Sequence, residues 1–96
     1  MVRHPALAGH SGVRDMYYTY ILKSEKDGKS YIGQTNNVVQ RLAYHNRGKV
    51  TATRRRIPLR LSHVEVFKTR KEAMEREKYL KSLKGGNAMK KILSVS

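Results

Sequence analysis

The side chains of this chain with the clearest chemical potential are one glutamate, an arginine and histidine pair, and two tyrosines. On a helical wheel of about 100° per residue, Glu77 falls within about 60° of both Ala73 and Leu80, whereas Glu75 points roughly 160° away toward solvent. A carboxylate on the apolar side of a helix has two readings: a rim group pairing with arginine, or a ligand for a hard cation. Arg41 and His45 lie four residues apart and share one flank of a second helical segment. They sit just off its apolar stripe of Val38, Val39 and Leu42, and are expected to border the core without entering it. Such a pair serves as a phosphate contact or stays at the surface. Tyr18, Tyr20 and Leu22 share a strand face by period two, and Tyr31 stands at the hairpin end of the returning strand. Six tyrosines against one phenylalanine and no tryptophan is a skewed choice, although most strand tyrosines are core residues with a partnered hydroxyl.

The elements that hold these residues follow from local signals. Residues 1–15 carry no hydrophobic period and read as a disordered leader, with Met16 as the natural start and one domain over residues 16–94. Tyr17 to Leu22 is a β-branched and aromatic run suited to a buried strand. Asp27-Gly28 supplies hairpin-turn chemistry, and Ser30 to Gln34 returns antiparallel to it. Asn36 or Asn37 caps the first helix, and Gly48 falls where its C-terminal cap belongs. A basic loop over residues 47–58 ends at Pro58, ahead of a third strand from Leu59 to Phe67. Thr69-Arg70-Lys71-Glu72 matches a capping box for a helix to about Leu83, which Gly85-Gly86 stops before a short last helix through Leu93. The order is strand, strand, helix, strand, helix, helix.

Charge points to the partner. Among 96 residues, 21 Lys and Arg against 7 Asp and Glu leave a net charge of +14, a field that gathers phosphate polymers. Arg47, Lys49, Arg54, Arg55 and Arg56 concentrate it in the central loop, as nucleic-acid backbone contacts or as a solvated charge run. The absence of cysteine excludes disulfides, thiolate metal sites and thiol nucleophiles, and fits a cytoplasmic protein. No run approaches the roughly 20 apolar residues of a spanning helix, and no long amphipathic helix suits a membrane surface.

The joint spacing resembles the GIY-YIG nucleases, and among them the small stand-alone bacterial proteins. Tyr31-Ile32-Gly33 is the intact second motif; Tyr18-Thr19-Tyr20 stands where the family has Gly-Ile-Tyr and keeps only Tyr20. Arg41 follows Tyr31 by ten residues and His45 follows Arg41 by four, as in the family's first helix. Glu77 sits in a segment like the one bearing the family's metal-binding glutamate. Asn87 matches a later active-site asparagine of the family, with a plain helix cap as its other reading.

The resemblance covers Tyr17 to Leu93. It implies an α+β fold of order ββαβαα, a three-stranded antiparallel sheet flanked by helices. It also implies a metal-dependent endonuclease acting on nucleic acid, DNA in preference to RNA. Tyr20 would orient or deprotonate the attacking water with His45 and Tyr31 assisting, Arg41 would grip the phosphate, and Glu77 would hold one Mg²⁺ or Mn²⁺. Only seven carboxylate side chains exist, and Asp15, Glu25, Asp27 and Glu75 lie in the leader, the hairpin or an outward face, so one metal fits better than two. The alternative is a nucleic-acid-binding module that keeps this fold without catalysis.

Overall fold

The computed structural model describes residues 16–84 and 86–94. The expected leader, residues 1–15, lies outside the described residues. Three strands, β1 (Tyr17–Ser24), β2 (Ser30–Thr35) and β3 (Leu59–Phe67), form one antiparallel sheet in the order β2-β1-β3. Three helices complete the α+β fold: α1 (Val38–Asn46), α2 (Arg70–Ser82) and α3 (Asn87–Ser94).

Helices pack on both faces of the sheet, so the side chains of the central β1 divide between two cores. Tyr20 and Leu22 pack with Leu59, Tyr31, Leu42 and Ile57 beneath α1. Ile21 packs on the opposite face with Leu80, Met89 and Ile32, beneath α2 and α3. Ile21 and Leu80 are wholly buried, each worth about 1.5–3 kcal/mol in hydrophobic transfer.

Register decides which residues meet the site. Tyr20 lies opposite Gly33 and Leu22 opposite Tyr31, so the two motif tyrosines share the α1 face. On the other side, Ile21 pairs with His63 but Leu22 with Leu61, leaving Ser62 as a bulge. That extra residue absorbs the uneven spacing of Leu59, Leu61, Val64 and Val66 and keeps all four on the α1 face.

Local chemistry sets the ends. Gly28 turns the hairpin at φ 73, and Asp27 Oδ1 accepts from the Lys29 amide at 2.9 Å. Asn37 is the α1 cap, its side chain accepting from the Gln40 amide at 3.0 Å. The Thr69 and Glu72 capping box forms as expected. Lys84 takes a left-handed φ of 51 after α2, one residue before the glycine pair. Thr19 Oγ1 donates to the Ala73 carbonyl at 2.7 Å, and Arg76 grips Glu65 through two bonds of 2.8 and 3.1 Å. These contacts tie α2 to β1 and β3.

Candidate active site

Tyr20 is positioned by the absence of a side chain opposite it. A Cβ on Gly33 would stand 2.5 Å from the Tyr20 hydroxyl oxygen and 2.7 Å from Cζ, so the phenol lies across bare β2 backbone. Its oxygen is 3.2 Å from His45 Nε2, and His45 Nδ1 is 2.8 Å from Thr53 Oγ1. The Tyr31 ring closes the cluster, with its centroid 4.9 Å from that of His45 and 6.5 Å from that of Tyr20. Arg41 lies beside the Tyr20 phenol, close enough to act on its pKa, and its guanidinium is 5.2 Å from the ring centroid of Tyr44.

Two expectations about α1 are corrected. His45 is not at the border of the core: it is 0% exposed, the one fully buried residue of the helix. Val39 is 77% exposed and takes no part in the apolar stripe. The helix is turned so that the flank of Leu42 and His45 meets the sheet. Burial of the imidazole is tolerable because both ring nitrogens have partners.

Electrostatics follow from that burial. Burial and the neighbouring Arg41 charge lower the His45 pKa from 6.5 to about 4, so the ring is neutral at pH 7. Burial raises the Tyr20 pKa above its usual value, opposed by the Arg41 guanidinium beside it. The phenol in turn raises the Arg41 pKa and keeps the guanidinium charged.

A pH dependence of stability results. Between pH 6.5 and about 4 the unfolded chain binds a proton at His45 that the folded chain refuses, so stability falls as pH falls through this window. The expected loss at pH 4 is at most about 3 kcal/mol from this group. Urea unfolding at pH 7 and pH 4.5 checks it: His45→Gln should flatten the difference, and an equal slope in both proteins would refute the assignment.

Glu77 stands on α2. Its charge contributes to raising the Tyr20 pKa, which places the carboxylate within electrostatic range of the phenol. Its side chain is 21% exposed and its Oε2 lies 2.7 Å from Lys81 Nζ, so its partner is a lysine of the next turn and not an arginine. Among the described residues no group of three or more His, Asp or Glu gathers into a cation site. A lone carboxylate suits Mg²⁺ or Mn²⁺, hard ions that keep several waters and take further oxygens from a phosphate.

The loop after α1 is pinned at several points. Asn46 pairs with both backbone groups of Leu59 at 2.7 and 2.9 Å, Ser24 Oγ donates to the Arg56 carbonyl at 2.6 Å, and Thr53 meets His45. Arg47, Lys49, Arg54 and Arg55 are exposed on it. Arg56 is half-buried, with its guanidinium 3.7 Å from Asp27. Asn87 stands exposed at the start of α3, while Met89 of that helix packs on the Ile21 face, opposite Tyr20. Lys90 N donates to the Gly86 carbonyl at 3.1 Å, so Gly86 opens the ladder of α3.

Sequence reasoning missed Thr53, because a threonine eight residues beyond His45 carries no local signal until the loop folds back. Gly33 had a signal, a glycine inside a strand marking a close approach.

Comparisons with known proteins give the family. Residues 16–91 match the family model of the GIY-YIG catalytic domain. A UPF0213 protein of Bacillus licheniformis is 46% identical over 72 residues, covering 74% of this chain and 73% of its relative. Another, of Clostridium perfringens, is 42% identical over 82 residues, covering 84% and 87%. The solution NMR structure of a UPF0213 protein from Bacillus halodurans is 36% identical, covers 77% of this chain and 90% of that one, and superposes with a TM-score of 0.43. With the second motif intact, Tyr20 retained from the first, and the match spanning the whole sheet, α1, α2 and the first half of α3, the chain belongs to the GIY-YIG nuclease family.

Proposed function

We propose that this protein is a metal-dependent endonuclease that hydrolyses phosphodiester bonds in nucleic acid, DNA in preference to RNA. The observation that carries the reading is the meeting of Arg41, His45 and Tyr31 around the buried Tyr20 phenol. A permanent cation beside a partnered phenol combines a phosphate grip with a group that orients water.

Tyr20 takes the role of orienting the attacking water or, in its phenolate form, of accepting the water's proton. Arg41 holds the phosphate through its guanidinium and neutralises charge that develops on the phosphoryl oxygens. His45 and Tyr31 hold the phenol in place. Glu77 would hold one Mg²⁺ or Mn²⁺ after giving up Lys81. When bound, such an ion supplies charge neutralisation at the phosphate and makes water more acidic. Arg47, Lys49, Arg54 and Arg55 contact the substrate backbone without reading sequence, and Arg56 is divided between this role and Asp27. Asn87 is assigned to the helix start.

A binding module without catalysis is the second reading, favoured by the Lys81 ion pair that occupies Glu77. The deciding experiment incubates the protein with plasmid, branched and single-stranded DNA and with RNA, in Mg²⁺, Mn²⁺ or chelator. Metal-dependent cutting that is lost in Glu77→Gln supports the nuclease; tight binding with no cutting on any substrate selects the module. Under either reading, affinity should fall at least about tenfold between about 50 and 200 mM salt, as several phosphate contacts release counterions. A flat titration would remove the electrostatic argument.

A further inference from the structure

Thr53 is a fully buried hydroxyl with one hydrogen-bond partner among the described residues, His45 Nδ1 at 2.8 Å. A hydroxyl carries one proton and two lone pairs, and no solvent reaches this one. Were Nδ1 the donor, the hydroxyl proton of Thr53 would be left buried without an acceptor, a cost of about 1–3 kcal/mol. The bond therefore runs from Thr53 Oγ1 to the lone pair of Nδ1. A neutral imidazole has a single N–H, which must then sit on Nε2, the nitrogen 3.2 Å from the Tyr20 oxygen.

We infer that Thr53 is a positioning residue: it fixes His45 as the Nε2–H tautomer, so that His45 donates to the Tyr20 oxygen. A donor on that oxygen uses one of its acceptor sites and directs the phenol's own proton away from His45. Were that proton passed to solvent water, the phenolate would keep the Nε2–H donor and have acceptor sites left for another water. Hydrogen bonds of this kind favour the charged form and work against the burial that disfavours it. The loop that carries Arg54 and Arg55 thus holds, through the residue before them, the proton arrangement of the phenol. The tautomer stands on geometry alone, whereas its effect on cleavage rests on the nuclease reading above.

Nitrogen-15 NMR of the full chain labelled at histidine tests this at neutral pH. The expected spectrum shows His45 Nε2 as the protonated, pyrrole-type nitrogen and Nδ1 as the unprotonated one. A protonated Nδ1, or a doubly protonated ring at pH 7, overturns the inference with no variant needed. Thr53→Ser should keep the wild-type pattern, and Thr53→Val, which leaves Nδ1 without a donor, should remove the hydrogen-bond shift of the Nδ1 signal. In a cleavage assay Thr53→Val should lower kcat about tenfold or more with KM nearly unchanged, with Thr53→Ser restoring most of it. Unchanged kcat in a folded Thr53→Val protein would overturn the positioning role. If wild-type protein cuts nothing, the nuclease reading fails while the spectrum still decides the tautomer.

Discussion

Arg41→Ala will lower kcat for nucleic-acid cleavage by about 10²–10³-fold, the usual cost of removing one donor from a developing oxyanion. The effect should be larger than that of any single loop arginine, because Arg41 alone pairs a guanidinium with the buried Tyr20 phenol. Two functions are lost together: the fork on the phosphate and the cation that opposes burial of Tyr20. Arg41→Lys should recover little, since an ammonium keeps the charge but not the planar fork that spans phenol and phosphate. Substrate binding at low salt should fall far less than kcat, because most of the +14 charge lies elsewhere. Single-turnover rates with a saturating protein concentration separate the two effects. Full rescue by lysine would mean that only a point charge is needed, and the proposed geometry would be wrong.

The second large effect comes from a residue with no chemistry of its own. Gly33→Ala places a methyl 2.5 Å from the Tyr20 oxygen and 2.7 Å from Cζ, well inside contact distance. The ring has little room to retreat: Tyr20 is 2% exposed, Leu22 and Leu59 pack in its cluster, and His45 and Tyr31 stand against it. The expected result is a loss of about 1–3 kcal/mol in stability by overpacking, and cleavage reduced at least about 10²-fold in the fraction still folded. Gly28→Asn is the control. Gly28 has a φ of 73 and nothing within 4 Å of an added Cβ, and asparagine tolerates that conformation. Denaturant midpoints and activity of the two variants side by side would settle the contrast, and a Gly33→Ala protein of wild-type activity would refute the role given to the bare backbone.

What could be read from sequence was what depends on neighbours along the chain. Asp27-Gly28, the Asn37 cap and the Thr69 capping box are local hydrogen-bond solutions, and each forms where the sequence predicts. The faces of Tyr20 and Ile21 in β1 follow from period two, which the Ser62 bulge interrupts in β3. The rotation of α1 does not follow from its own residues. Val38, Val39 and Leu42 allow two placements of the apolar stripe, and the choice was made by His45, whose ring finds partners on β1 and in the loop. Residues whose partners come from distant segments were equally opaque. Arg56 on Asp27, Arg76 on Glu65 and Thr53 on His45 are all tertiary pairings. The site was visible as a set of residue types at given spacings; the hydrogen bonds that orient it were not.

The place of β1 in the sheet has a further consequence. β1 is bonded along both edges, to β2 through Lys23 and Ser30 at one end and to β3 through Tyr17 and Phe67 at the other. Amides on such a strand exchange with solvent only when the sheet itself opens, so the backbone under Tyr20 belongs to the slowest-exchanging part of the molecule. The phenol is mounted on the last segment to let go. Heating should therefore extinguish chemistry and fold in one cooperative step, without an intermediate that keeps its shape and has lost its site.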